Sequence, residues 1–128
     1  MREIKFRGKK EGSRVWDYGD LAKDKDGRSF IVDIAKDNIG HIAYLREVDP
    51  KTVGQYTGLK DKNGVEIYEG DIVEYYGTKY TVCYADEKGA FVLRYINAHQ
   101  GNFMFALHKY AINVIGNIHD NSELLKED

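Results

Sequence analysis

The sequence predicts a mainly β protein on three observations. Short runs of β-branched and aromatic residues recur along the 128-residue chain, and turns that contain glycine separate them. The chain has one proline, Pro50, which interrupts this pattern. A single stretch near the carboxyl end has the cap and composition of a helix. We therefore expect two small all-β subdomains, residues 1–50 and 51–128, the second ending in a short C-terminal helix.

The first subdomain contains four strand candidates. They are the segment around Ile4 and Phe6, residues 15–21, residues 30–34 and residues 42–48. Residues 23–27 form a turn rich in aspartate and glycine, which predicts a hairpin between the second and third candidates. Pro50 fixes its own φ angle and disfavours helix at Asp49. We therefore place the junction between the subdomains near Pro50.

An Asn-Gly turn marks the second subdomain. Asn63 and Gly64 supply the positive φ angles of a tight hairpin, and residues 65–68 have strand-type side chains. Four later strand candidates are residues 72–76, 80–84, 90–96 and 112–118. Short strands at this spacing are typical of a small barrel of the SH3-like or OB-like type. The helix is expected at residues 123–126, with Asn121 or Ser122 as its cap.

Composition excludes several broad classes. The net charge is -2 and 31% of the residues are charged, which is typical neither of a disordered chain nor of a strongly basic nucleic-acid binder. The single cysteine, Cys83, has no partner for an intramolecular disulfide. No apolar run approaches the roughly 20 residues that span a bilayer. The first ten residues lack the apolar core of a signal peptide, so we expect a cytoplasmic protein.

Two loops repeat nearly the same five residues. Residues 23–27 read KDKDG and residues 60–64 read KDKNG, and a strand-like run follows each. Turn chemistry selects these residues and is the favoured interpretation, with a duplicated β unit as the alternative. A calcium loop that opens at Asp24 is disfavoured, because its later ligand positions would be Arg28 and Ala35. We predict no metal site.

No catalytic constellation is predicted. Cys83 lies inside a strand candidate, where a small buried thiol is the common outcome. Glu69 and Asp71 project to one side of a pleated strand, but Gly70 and Asp71 also make an ordinary turn, which we favour over an acid-base pair. The four histidines are far apart and have no metal-ligand spacing; they are His41, His99, His108 and His119. We expect no enzyme activity and no cofactor.

The amino-terminal segment is the best candidate for a binding surface. Six cations and one indole gather there, opposed by two glutamates; they are Arg2, Lys5, Arg7, Lys9, Lys10, Arg14 and Trp16. Exposed aromatic rings beside a cationic track bind single-stranded nucleic acid. A charged strand face is more often only solvated, so nucleic-acid binding is the alternative.

Three blocks of the chain resemble one family. They are REIKFRG at the amino end, VDPKTVGQYTGLKDKNGVEIYEGDIV in the middle and VIGNIHDNSELL at the carboxyl end. In sequence and in order they resemble the YopX family of bacteriophage and prophage proteins. The resemblance implies a small phage-encoded β protein in two β subdomains, with no established enzymatic activity. It transfers no catalytic residues, and it implies the cytoplasm of a bacterial host.

Two functions follow as expectations. The first is a phage or prophage accessory protein that acts through contacts with a host or phage protein and through self-association by exposed sheet edges. We expect a homo-oligomer for this reason. The alternative is a small barrel that binds nucleic acid in phage DNA metabolism.

Overall fold

The protein is mainly β, as predicted. The computed structural model describes residues 3–36, 38–96, 104–107 and 112–126, and most of these lie in strands. The described strands form two antiparallel sheets and no closed barrel, so the expected SH3-like or OB-like barrel is not confirmed. The chain divides into two compact units, Met1–Gln55 and Tyr56–Asp128.

The first unit contains four neighbouring antiparallel strands. Its strands are β1 (Phe6–Gly8), β2 (Asp17–Lys23), β3 (Ser29–Lys36) and β4 (His41–Val48), in the spatial order β4-β3-β2-β1. On its other side β1 pairs with the first residues of β5 (Gly54–Lys60). The predicted strands of this region are confirmed, with ends that differ by at most three residues.

Few apolar side chains are buried in the first unit. Among its described residues, Ile31 and Val48 are the buried large apolar ones, at 0% and 3% exposure. The approach of β2 to β3 explains a glycine in β2, because a Cβ atom at Gly19 would collide with the carbonyl oxygen of Val32. This core is small for a unit of its length.

The segment after β4 is fixed by Asp49 and Thr52. Pro50–Thr52 forms a 3-10 turn, and the amide of Lys51 donates to Oδ1 of Asp49 at 3.0 Å. The hydroxyl of Thr52 donates to the carbonyl of Asp49 (2.7 Å) and accepts from the amide of Lys9 (3.0 Å). Pro50 therefore starts a helical turn, while Asp49 keeps the extended backbone expected before proline.

The second unit contains a five-stranded antiparallel sheet. Its strands are β7 (Asp71–Tyr75), β8 (Thr78–Ala85), β9 (Ala90–Tyr95), β10 (Met104–Ala106) and β11 (Ile112–Asn117), in the spatial order β10-β9-β8-β7-β11. The remainder of β5 pairs with β6 (Glu66–Tyr68). The core cluster consists of Ile67, Val73, Tyr80, Val82, Leu93 and Ile112. The sequence pattern did not predict β5, which contains two glycines, or the three-residue β10.

The carboxyl-terminal helix is a 3-10 turn. It covers Ser122–Leu125 rather than residues 123–126, and Asn121 stands at the cap position. The Asn121 side chain does not cap it, because its Oδ1 accepts from the amide of Asn117 at 3.1 Å.

The Asn-Gly hairpin is confirmed. Lys60 pairs with Glu66 across the loop, and Gly64 has the expected positive φ angle, 82°. The positive φ angle expected at Asn63 is wrong, because this loop places only Gly64 in the left-handed region. The loop is organised by Asp61, which is 6% exposed. Its Oδ1 accepts from the amides of Asn63 (2.8 Å) and Val65 (2.9 Å). Its Oδ2 accepts from the amide of Val114 in β11 at 2.9 Å.

The other repeated loop uses the same turn chemistry. Oδ1 of Asp24 accepts from the amides of Asp26 (3.0 Å) and Arg28 (2.9 Å), the same two spacings along the chain as at Asp61. Oδ2 of Asp24 lies 2.7 Å from Nε of Arg28. This match supports turn chemistry as the origin of the repeat. The Asp24 carboxylate has internal donors, which argues against the calcium loop.

The amide donors determine the charge state of Asp61. Burial opposes ionisation, but the amides of Val114, Val65 and Asn63 together outweigh it and hold the pKa of Asp61 below its ordinary value. Asp61 is therefore a carboxylate at neutral pH. It accepts three hydrogen bonds and links the 61–65 loop to β11.

Replacing Asp61 by alanine will destabilise the protein. We expect Asp61→Ala to lower the free energy of unfolding by about 2–3 kcal/mol, because amides at a partly buried site lose their acceptor. Asp24→Ala is the matched control in the exposed loop and should destabilise the protein clearly less, because water replaces its carboxylate. Urea unfolding of both variants measures the difference. Equal losses in the two loops would contradict the role given to Asp61.

The contribution of Asp61 will be lost in acid. Its pKa is lower in the folded than in the unfolded state, so its stabilisation is complete above the unfolded value of about 3.9 and falls as the pH drops toward the folded value. We expect the stability difference between wild type and Asp61→Ala to be constant from pH 5 to 7 and to shrink below about pH 4. Urea unfolding across this range measures it. A difference that grows in acid would refute the assignment.

Candidate functional site

The structure separates the cations of the amino-terminal segment. Arg7 is only 6% exposed, and Lys5 is half-buried with its Nζ 3.9 Å from Glu3. Lys10 and Arg14 are exposed. Arg2 lies outside the described residues. The described side chains of this set therefore do not form one uniformly exposed basic face.

Two of these cations gather around Trp16. The guanidinium carbon of Arg7 lies 4.7 Å from the centre of the half-buried Trp16 ring. Nζ of Lys9 lies 5.4 Å from it. Cation-π contacts of this kind stabilise a fold by about 0.5–2 kcal/mol. The structure thus brings Arg7, Lys9 and Trp16 together, with the chain's own cations over the indole.

The predicted carboxylate pair, Glu69 and Asp71, lies at a turn that Asp71 stabilises. Asp71 is 2% exposed, and its Oδ2 accepts from the amide of Tyr68 at 2.7 Å. Gly70 between Glu69 and Asp71 has a φ angle of 93° and donates its amide to Val82. Asp71 therefore closes the turn from β6 to β7, which supports the turn interpretation.

Cys83 and the histidines form no reactive group in the described structure. Burial raises the pKa of the half-buried Cys83 thiol, against a smaller opposing effect of Arg94. His41 is exposed on β4 and His119 is half-buried, while His99 and His108 lie outside the described residues. Within the described residues, no three His, Cys, Asp or Glu side chains stand close enough to hold a metal ion.

Most of the described tyrosines serve the sheet. Tyr75, Tyr80 and Tyr95 form a row with ring centres 6.4 Å and 4.9 Å apart. Burial, with a hydrogen bond to Tyr95, raises the pKa of Tyr80 to about 12. Its hydroxyl stays protonated at neutral pH. The exposed tyrosines among the described residues are Tyr18, Tyr44, Tyr76 and Tyr84, and Tyr76 lies at the tip of the β7–β8 hairpin with a positive φ angle of 48°.

The β3–β4 hairpin is the apolar surface that sequence reasoning missed. Its large apolar side chains are exposed on Ile34, Ile39, Ile42, Tyr44 and Leu45. Leu45 is 59% exposed and Ile39 is 96% exposed. The sequences of β3 and β4 could have indicated this surface. Both strands carry apolar residues at odd and even positions alike, a pattern typical of strands that are buried on both faces. Such a hairpin exposed to water is a candidate interaction surface.

Both faces of this hairpin are apolar. The register places Ile34 opposite Ala43 and Val32 opposite Leu45, and residues opposite each other share a face. On the other face Ala35 stands opposite Ile42. We call the first of these the outer face, since the second continues from the buried Ile31. A partner at this hairpin meets apolar side chains above and below the sheet.

The hairpin also has an open edge. Strand β4 stands at the end of its sheet and, among the described strands, pairs with β3 alone. All its residues from His41 to Glu47 are exposed. An edge strand with unpaired backbone groups is a template for another strand. The open edge and part of both apolar faces therefore belong to the same eight-residue strand, β4.

Comparison with known proteins gives the family. The model of the YopX protein family matches residues 5–126. The chain belongs to the YopX family. The match includes both units of the chain and the whole β3–β4 hairpin, which confirms the resemblance seen in the three sequence blocks.

One solved structure of similar fold is protein EF1440 from Enterococcus faecalis. It has a TM-score of 0.64 and 25% sequence identity, over 98% of this chain and 100% of that one. No curated protein matches this YopX-family chain. Among the described residues, no helix is long and apolar enough to cross a membrane. These findings give the fold and the family, and they name no activity.

Cys83 will behave as a shielded, unreactive thiol. We expect its alkylation at pH 8 to be at least about tenfold slower in the folded protein than in urea, because burial both shields the thiol and raises its pKa. Cys83→Ala should unfold at nearly the wild-type urea concentration. Alkylation rates by mass spectrometry measure the first result. A folded-state rate equal to that in urea would count against a structural role.

Proposed function

We propose that this YopX-family chain is a phage or prophage accessory protein that acts through protein contacts, including self-association, in the cytoplasm of a bacterial host. The β3–β4 hairpin is the contact surface. The observation that carries the proposal is the imbalance between buried and exposed apolar side chains in the first unit. Among its described residues, the exposed large ones are Ile4, Val15, Tyr18, Ile34, Ile39, Ile42, Tyr44 and Leu45, against the buried pair Ile31 and Val48.

The energetic argument follows from burial. Covering an exposed isoleucine or leucine stabilises a protein by about 1.5–3 kcal/mol when burial is complete. The hairpin presents several such side chains, while a sheet of this size buries too little on its own to be strongly stable. A partner that covers the hairpin would complete the hydrophobic core of the first unit. Association and folding stability are therefore linked in this proposal.

No catalytic step is included. Cys83 has a raised pKa, Asp71 is engaged by the amide of Tyr68, and Tyr80 keeps its proton at neutral pH. Each of these groups has a structural role in the described geometry. The proposal therefore assigns the chain to binding proteins rather than to enzymes.

Nucleic-acid binding is the second candidate. It is favoured by the exposed Lys10 and Arg14, which lie on the chain beside the Trp16 cluster. A base that stacks on Trp16 would have to compete with Arg7 and Lys9, so we rank this function below protein contacts. The SH3-like or OB-like barrel that this candidate uses stays a prediction, because the described strands form open sheets.

Removing apolar side chains from the hairpin will weaken association. We expect the wild type at micromolar concentration to sediment with a multiple of the 14.7 kDa chain mass. The double variant Ile34→Ser, Leu45→Ser should raise the dissociation constant at least about tenfold, because each copy loses two large apolar contacts. Analytical ultracentrifugation over a wide concentration range, at low and moderate salt, measures both.

The control changes exposed apolar residues elsewhere. Val65→Ser with Tyr76→Ser alters the second unit at two exposed positions and should leave the mass unchanged. Both double variants should keep the wild-type circular dichroism, since exposed side chains contribute little to the fold. A wild type that sediments as a monomer at all concentrations would overturn the proposal. So would equal weakening by the hairpin and control variants.

A further inference from the structure

We propose that the occupant of the open β4 edge is β4 of a second copy of this chain. The two strands run antiparallel about a two-fold axis that places Tyr44 opposite Tyr44 of the second copy. This inference rests on the proposed function and names its partner and its register. It converts an eight-residue edge strand into the centre of a continuous sheet.

Symmetry limits the registers available. A two-fold axis perpendicular to the sheet keeps each face on its own side, so every pair joins residues whose numbers add to an even sum. With Tyr44 on the axis, seven residues of each strand are paired, from His41 to Glu47. Shifting the axis to Ala43 or Leu45 gives the two nearest alternatives. Side-chain size and charge distinguish these three registers.

Size favours Tyr44 on the axis. In this register Ala43 stands opposite Leu45 of the second copy, so a small side chain faces a large one. Because Ile34 pairs with Ala43 and Val32 pairs with Leu45 within each chain, a row of four apolar residues crosses the outer face. The two-fold axis repeats this row. The exposed apolar side chains of the outer face thereby become neighbours of one another.

Charge favours the same register. His41 stands opposite Glu47 of the second copy, and Lys36 lies beside His41 within its own chain. The imidazole of His41 and the ammonium group of Lys36 from one chain therefore stand in the same row as the Glu47 carboxylate of the other, at both ends of the paired strands. With Leu45 on the axis, Glu47 would face Ala43 and the apolar row would be interrupted. With Ala43 on the axis, His41 would face Leu45.

The axis residue also has a compatible environment. Tyr44 is exposed and pairs with Asp33 across the hairpin. Two tyrosines that meet at an antiparallel pair pack ring against ring, which is a favourable cross-strand contact. Arg46, 3.7 Å from Asp17 of its own chain, would cover Ile42 of the second copy with its aliphatic stem.

Disulfide trapping tests the register directly. In a two-fold pair, only the residue on the axis meets itself, and a disulfide requires Cβ atoms about 3.5–4.5 Å apart. In the full chain with Cys83→Ser, we expect Tyr44→Cys to form a covalent dimer under mild oxidation. Leu45→Cys is the matched control on the same strand and should stay largely monomeric on a non-reducing gel. Both positions are exposed, so both variants should fold.

Charge exchange provides an independent measurement. Glu47→Lys should raise the dimer dissociation constant by about tenfold, because it removes the acceptor that faces His41 and symmetry places the introduced lysine in the row of Lys36 twice. The double variant His41→Glu, Glu47→Lys restores opposite charges across the axis and should recover most of the affinity. Because position 47 is still a lysine in the double variant, the attraction between Glu47 and Arg28 within one chain is not restored. Recovery therefore reports the contact between copies.

The outcomes separate this inference from the proposed function. Efficient trapping of Tyr44→Cys with rescue by the double variant supports the register. Trapping of Leu45→Cys instead overturns it, as does failure of both cysteines in a protein that still sediments as an oligomer. In those two cases the hairpin can remain the contact surface. A monomeric wild type with no trapping overturns both proposals together.

Discussion

The carboxylate of Asp61 is the interaction on which the second unit most depends. Three amide donors converge on it, two from its own loop and one from Val114 in β11. The side chain therefore fixes the Asn-Gly hairpin and also attaches it to an end strand of the five-stranded sheet. Asp71 performs a related task at the next turn, where its carboxylate receives the amide of Tyr68. Short strands need such fixed turns, because few backbone pairs set their register.

The first unit has a smaller hydrophobic core than the second. Its turn at Asp24 follows the same hydrogen-bonding pattern as the turn at Asp61. The Asp24 loop is exposed, however, and among the described contacts no amide from another strand donates to the Asp24 carboxylate. Two large apolar side chains are buried among its described residues, while the hairpin formed by β3 and β4 exposes apolar groups on both faces. The two units thus share turn chemistry and differ in how completely they bury apolar surface. This difference is the physical basis of the proposal that the first unit carries the interaction surface.

The described polar groups that the sequence offered as candidates take part in the fold. Candidate reactive groups that the sequence offered, such as Cys83 and Asp71, are held by burial or by backbone donors. The basic cluster is likewise partly internal, since Arg7 and Lys9 lie over Trp16. By contrast, the residues of β4 from His41 to Glu47 are all exposed. The family match, over residues 5–126, includes this hairpin.

Much of the fold could be predicted from the sequence. The β class, the Asn-Gly hairpin and most strands follow from turn residues and side-chain periodicity, which are local properties of the chain. The YopX family was indicated by the resemblance of three sequence blocks and is shown by the family match. Strand β5 escaped because its two glycines hide its pattern, and the helix at the carboxyl end became a 3-10 turn because Asn121 binds Asn117 instead of capping. The exposed hairpin was decided only by the tertiary structure. An apolar strand reads the same whether its faces are covered or open, and only the packing of the remaining chain determines which of them meet water.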